Sequence, residues 1–385
     1  MKKVLVVDDS ALMRKLLSGV LVEGGYEVRS ARNGTEAVEE VVRWTPDVIT
    51  LDINMPEMDG LTALSLIMAA RPTPVVMVSS LTERGALATF EALALGAVDF
   101  IPKPGGTISL HVDDIRAMLL DKVASAARAR LGPRAAARPM ASSIARPVAR
   151  PVGNPAAAST TAGRPAAAPA MGKAVEASPR SRGSAASPPS PRAGQVPGLV
   201  LVGVSTGGPR TLEDILPRLP ANFPWPVLVA QHMPANFTDT FARRMDSLCA
   251  LNVVEVNTPM ALSPGHVYIG RGGTDLTVTD RVGVLHAAPR PETPGVLWHP
   301  SVEILVDSAM QHLPAHKLIG VMLTGMGNDG ASAMARLHAS GGRTIAESAD
   351  TAVVFGMPQE LIERRAATLV LPCTSIASQL RLWLP

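Results

Sequence analysis

The sequence predicts an α/β protein in two parts, each built on a parallel sheet, and three observations carry that prediction. From residue 1 to 122 short apolar runs alternate with amphipathic helical stretches, the pattern of strands and crossover helices. Residues 123–196 are rich in Ala, Pro, Arg and Ser and nearly free of large apolar side chains. From 197 to 385 the alternation of apolar runs and helical stretches resumes.

In the first part "KKVLVVDD" is a buried strand ending in Asp8 and Asp9, followed by the helix "SALMRKLLSGVLVEGG" with its glycine stop. "YEVRSA" is a further amphipathic stretch, and "PDVITLDINMP" a strand ending in Asp52. "TPVVMVSS" ends in Ser79 and Ser80, and "VDFIPKP" carries Phe100 and Lys103. In parallel sheets ligands sit at the carboxyl ends of strands, where these polar residues fall. Three carboxylates converging there repel unless a hard cation joins them, and Mg²⁺ takes oxygen ligands of this kind. A lysine and a hydroxyl beside them suit the oxygens of a phosphoryl group.

The middle segment bounds the interpretation of charge. It holds ten Arg, one Lys and one Glu, a local net of +10 in a chain whose total is +3. The basic balance therefore belongs to a predicted disordered linker, since such a segment cannot bury enough surface to offset its ordering entropy. The folded parts are acidic, and no recognition-helix pattern is present, so nucleic acid is excluded as a partner. Hydrophobic residues make up 46% of the chain and aromatics 3%, leaving Leu, Val, Ala and Met to fill the cores. No apolar stretch reaches membrane-span length, and two Asp interrupt the N-terminal run before a secretory signal develops. With only Cys249 and Cys373 there is neither a disulfide framework nor a zinc spacing, and a cytoplasmic protein is expected.

The third part opens with "LVLVGVSTGGP", a strand, a glycine turn and a helix start with Pro209 in its first turn. Gly203–Val204–Ser205–Thr206–Gly207 fits Gly-x-Ser-x-Gly, in which a serine is projected from a strained strand-to-helix turn. A dinucleotide loop is not met, because Ser205 stands where a glycine is required. The pattern alone also suits a plain turn. A nucleophilic serine needs a base and an orienting acid, and two other apolar strands supply candidates. One ends at His232, and the other leads into the glycine-rich turn that carries Asp329. His266, His286 and His299 lie near turns or helix starts, and His111, His312, His316 and His338 on helix or loop surfaces. The chain order Ser, His, Asp differs from that of α/β-hydrolases, although triads recur on unrelated folds.

Two resemblances follow. "VVDDS", "LDINMPEMDG", "VMVSS" and "DFIPKP" resemble the flavodoxin-like receiver domain of bacterial response regulators, a parallel five-stranded sheet. It implies that Asp52 accepts phosphate from a histidine kinase, that Asp8, Asp9 and Asp52 hold Mg²⁺, and that Ser79, Lys103 and Phe100 read the phosphoryl group. "GVSTGGP", "QHMPANFTDTFA", "PGHVYIG", "LTGMGNDGASAM" and "VVFGMPQELI" resemble the doubly wound catalytic domain of the chemotaxis protein-glutamate methylesterases (CheB-type). That resemblance implies Ser205 as nucleophile, His232 as base, Asp329 as its partner, and backbone oxyanion donors at Thr206 and Met326. It further implies methyl ester hydrolysis and glutamine deamidation on methyl-accepting chemoreceptors, no cofactor for the esterase, and approach to the membrane only through receptors. Two places depart from the family pattern: "GRGGTDL" has Asp275 where a histidine is frequent, and Trp298–Glu303 reads "WHPSVE" in place of His-Arg-Pro-Ser-Val-Asp. A phospho-dependent adaptor and a hydrolase of small esters are the alternative outputs.

Overall fold

The computed structural model describes residues 1–80, 82–103, 112–131 and 196–384, all of which belong to one compact unit. Most of the predicted linker, 132–195, lies outside the described residues.

The N-terminal domain runs β1 (Lys3–Val7), α1 (Ala11–Glu23), β2 (Glu27–Ala31), α2 (Gly34–Trp44), β3 (Val48–Asp52), α3 (Gly60–Ala70), β4 (Val75–Ser79), α4 (Glu83–Leu95), β5 (Asp99–Pro102) and α5 (Val112–Ala126). Its five strands are all parallel, in the order β2-β1-β3-β4-β5. Side chains alternate across the sheet. Val4 and Val6 face Leu17 and Leu21 of α1 and Leu119 of α5, while Leu5, Val7 and Leu51 share the opposite core with Leu64 and Ile67 of α3. The side chains of Ser10, Asn33, Asp59 and Thr82 each accept a backbone N–H of the helix they open, satisfying donors that a helix start leaves orphaned. Helix α5 runs to Ala126, four residues past the 122 at which the sequence reading ends this domain.

The C-terminal domain begins β6 (Leu199–Val204), α6 (Gly208–Ile215), β7 (Val227–Gln231), α7 (Ala235–Leu248), β8 (Asn252–Val256), β9 (Met260–Ala261) and β10 (His266–Gly270). It continues β11 (Thr274–Arg281), β12 (Val284–Pro291), α8 (Val302–His312), β13 (Leu318–Met322), α9 (Ala331–Ala339), β14 (Arg343–Glu347), α10 (Met357–Glu363), β15 (Leu369–Leu371) and α11 (Cys373–Trp383). Seven parallel strands pair in the order β15-β14-β13-β6-β7-β10-β8. The chain leaves β6 toward β7 on one side and returns to β13 on the other, so the order reverses at β6. Such a switch point leaves a crevice outside the carboxyl ends of the strands. A three-stranded antiparallel sheet, β11-β12-β9, stands apart from the parallel one, and the alternation of apolar runs and helical stretches does not predict it.

The two domains meet along α4 and β5 of the first and α7 of the second. Phe100 packs on Phe237 with ring centroids 4.3 Å apart, and Phe90 on Phe241 at 5.4 Å. Arg243 pairs with Glu83 at the edge of this contact. Past α5, the N–H of Arg130 donates to Val353 O and its guanidinium to Ala349 O.

Candidate functional site

Ser205 follows the last residue of β6 and is 4% exposed. Its turn is held on three sides. The Ser205 N–H donates to Thr324 O (2.9 Å), the Gly208 N–H donates to Ser205 O (2.8 Å), and Gln231 Nε2 donates to that same carbonyl (3.1 Å). Gly207 opens α6 with φ +78°, a left-handed conformation in which an added Cβ would also strike Val353. The loop after β13 passes so close that a Cβ on Gly325 would lie 2.7 Å from that of Ser205.

His232 leaves the neighbouring strand end, its N–H donating to Val204 O, so Ser205 and His232 emerge side by side. Imidazole Nε2 lies 2.9 Å from Asp329 Oδ2. Asp329, in the loop between β13 and α9, faces the N-terminus of α8 and accepts the N–H of Val302 (2.7 Å) and Glu303 (3.2 Å) and the hydroxyl of Ser301 (2.9 Å). Burial pushes its carboxyl up. The hydrogen bond and charge of His232, with those two N–H groups, outweigh burial and hold it below the usual carboxylate range. The hydrogen bond to the carboxylate of Asp329 places a proton on His232 Nε2. Nδ1 is buried and has no partner among the described residues. The indole of Trp298 covers the imidazole face at 5.1 Å, with the planes 6° apart.

Thr206 and Met326 flank this centre. Thr206 O accepts the Thr324 hydroxyl (2.8 Å), and Met326 lines a cavity of about 620 Å³ with Gly327, Asn328, Phe355 and Arg128. Beneath the loop lies Glu347, which sequence reasoning missed. Its carboxylate accepts the N–H of Thr324 and the hydroxyl of Thr351, each at 2.9 Å, and burial pushes it up to about 7. Ser301 and Gln231 were also missed as site residues. The capping pattern Ser301-x-x before an apolar helix could have flagged the first.

At the carboxyl end of the N-terminal sheet, Lys103 Nζ lies 3.0 Å from Asp8 Oδ2 and 2.8 Å from Asp52 Oδ2. Both oxygens are buried and have no other partner among the described residues. Burial pushes the Asp52 carboxyl up, and this wins over the pull of Lys103. Burial alone would lower Lys103, but Asp52 and Asp8 hold it above its ordinary value. Asp8, Asp9 and Asp52 each offer an oxygen within 4.8 Å of the others, and Asp9 is exposed. Two buried carboxylate oxygens sharing one ammonium group, beside an open third acid, form a hard donor set that fits a divalent cation. The Ser79 hydroxyl is turned away, donating to Gly85 O (3.1 Å) in the first turn of α4. Phe100 is buried against Phe237 and not in the pocket.

A five-stranded doubly wound domain with an acidic pocket thus precedes a domain with serine, histidine and aspartate gathered at a switch point. Comparison with known proteins agrees for both. Residues 4–113 match the response regulator receiver domain, and residues 200–380 match CheB methylesterase. The chain is 52% identical over 389 residues to protein-glutamate methylesterase/protein-glutamine glutaminase 3 of Rhodospirillum rubrum, covering 100% of this chain and 96% of that one. It is 51% identical over 388 residues to protein-glutamate methylesterase/protein-glutamine glutaminase 2 of Rhodopseudomonas palustris, covering 100% and 98%. The crystal structure of the Thermotoga maritima CheB methylesterase catalytic domain is 40% identical, covers 48% of this chain and 96% of its own, and gives a TM-score of 0.46. The chain belongs to the receiver-linked CheB methylesterase family. No helix among the described residues is long and apolar enough to cross a membrane.

Proposed function

We propose that this protein hydrolyses glutamate γ-methyl esters on methyl-accepting chemoreceptors, releasing methanol, and deamidates specific receptor glutamines, under control of phosphorylation at Asp52. The observation that carries the reading is the His232–Asp329 hydrogen bond beside Ser205 at the β6 switch point, with Nδ1 of His232 unpartnered among the described residues. Residues 1–122 act as the receiver, 197–385 as the catalytic domain, and the protein works in the cytoplasm.

Ser205 Oγ attacks the ester carbonyl while its proton passes to His232 Nδ1, and Asp329 stabilises the imidazolium through Nε2. Charge develops on the carbonyl oxygen, where the backbone N–H groups of Thr206 and Met326 receive it. One such donor is worth roughly 10²–10³ in rate. The imidazolium returns its proton to the departing methoxide, or to the departing amine in deamidation. Water, deprotonated by His232, then attacks the acyl-enzyme and frees Ser205.

In the receiver, Asp52 accepts the phosphoryl group from a histidine kinase. Asp8, Asp9 and Asp52 would hold Mg²⁺, whose charge would offset that of the phosphoryl oxygens. Lys103 then moves from its two carboxylates to a phosphoryl oxygen, and the Ser79 hydroxyl leaves Gly85 O to donate to another. Phe100 responds to that rearrangement, and its packing on Phe237 supports a route by which phosphorylation loosens the receiver from α7.

The test is methanol release from methylated receptor fragments, with and without a small phosphodonor and Mg²⁺. Release should rise with phosphodonor, lose that rise in Asp52→Ala, and vanish in a folded Ser205→Ala protein. Near-normal release from Ser205→Ala would overturn the nucleophile assignment.

A further inference from the structure

We propose that Trp298 is a positioning residue for His232, its indole face steadying the imidazole and stabilising the imidazolium formed during acyl transfer, and that the Asp275–His299 pair is the strut that keeps it there. This inference rests on the reading of His232 as the catalytic base.

Asp329 controls only one edge of the imidazole, through Nε2. A ring held at one edge still pivots about that hydrogen bond. The near-parallel indole of Trp298, 5.1 Å away, removes that freedom from the face. An aromatic face also attracts a cation, most strongly for Trp and when water is excluded. His232 is 6% exposed, so this attraction is little screened.

Trp298 lies in a loop without helix or strand, so something must fix it. Asp275, on β11 and fully buried, does so with four contacts. Its Oδ2 accepts the N–H (3.2 Å) and hydroxyl (2.8 Å) of Thr293, where the loop begins. Its Oδ1 accepts His299 Nδ1–H (2.8 Å) and the N–H of Ser301 (3.2 Å), where the loop ends. Trp298 directly precedes His299, and the Ser301 hydroxyl donates onward to Asp329 Oδ1. One buried carboxylate thus ties both ends of the loop to the antiparallel sheet and joins it to the acid that orients His232. A buried carboxylate this fully met by donors is costly to disturb, which makes the strut stiff.

The experiment compares Trp298→Leu, Trp298→Phe and His299→Gln in the full-length protein, following methanol release against pH. Among the described residues, charged groups coupled to His232 include Asp329, from the loop after β13, and Asp121 on α5 of the receiver, and neither is altered in any variant. Leucine keeps the apolar cover but not the ring face. We expect kcat to fall about tenfold, with the acid limb of kcat/KM moving to lower pH because the imidazolium has lost its partner. Phenylalanine should restore most of both. His299→Gln should move the limb in the same direction as leucine. Circular dichroism and the denaturant unfolding midpoint report that the catalytic domain of each variant is folded. A normal rate and an unmoved limb in Trp298→Leu would overturn the proposal. So would an equal rate loss in the Leu and Phe variants with no movement of the limb. If Ser205→Ala stays active, the underlying catalytic assignment fails instead.

Discussion

In the receiver, Asp8 and Asp52 share one ammonium group while Asp9 stands open to solvent. In the catalytic domain, Asp329 is met by four donors, and the ring nitrogen Nδ1 of His232 has no partner among the described residues. Both sites lie at the carboxyl ends of parallel strands. The receiver keeps an excess of negative charge near the surface, as suits a pocket that captures a cation and a charged group from solution. The catalytic site meets its carboxylate with hydrogen-bond donors and leaves one ring nitrogen free, as suits proton transfer. The same architecture yields an ion trap or a proton relay according to which donors surround the carboxylates.

The comparison breaks first at Asp329. Asparagine there turns an N–H toward Nε2, selects the wrong imidazole tautomer, and should cut methanol release by about 10³–10⁴-fold. Phosphorylation of Asp52 should be unchanged, and a loss below tenfold would mean that Asp329 does not set the tautomer.

Much of the placement of both candidate sites was legible because most of the proposed side chains directly end an apolar run: Asp8, Asp52, Lys103, Ser205 and His232 announce themselves by position. Asp329 was harder, since six residues separate it from β13, and only the glycine-rich turn marked it. Glu347 also ends a strand, yet a lone acid in that place signals nothing without the tertiary contact to Thr324. Asp275 and His299 were visible as two departures from the family pattern, 24 residues apart. Only folding shows that they are one contact. Ser79 and Phe100 sit at the expected strand ends, but the hydroxyl faces Gly85 O and the ring faces Phe237, orientations that no spacing encodes.

Two smaller effects sharpen the comparison. Glu347 is the catalytic domain's own buried, under-compensated carboxylate. Its pKa, raised to about 7 by burial, means that folding favours the protonated form, so its stabilising contribution is present at low pH and lost as pH rises through 7. Between about pH 5 and pH 8, Glu347→Gln should gain roughly 2–3 kcal/mol on the wild type by denaturant unfolding. A pH-independent difference would place that pKa near its ordinary value. Phe237→Leu removes one aromatic pair, worth about 0.5–1.5 kcal/mol beyond its area. Basal release without phosphodonor should therefore rise by about two- to tenfold, with a smaller further rise on phosphorylation. No change would remove this contact from the control of the enzyme.

The same seam bears on heat. Phe90 and Phe100 sit in one continuous apolar cluster with Phe237 and Phe241, so the boundary between the domains has the character of an interior. An apolar boundary of this kind couples the unfolding of the two domains. The unphosphorylated protein should give a single calorimetric transition, to which the receiver lends thermal resistance. Releasing the seam should split that transition in two, so that the active enzyme is also the one whose halves unfold separately.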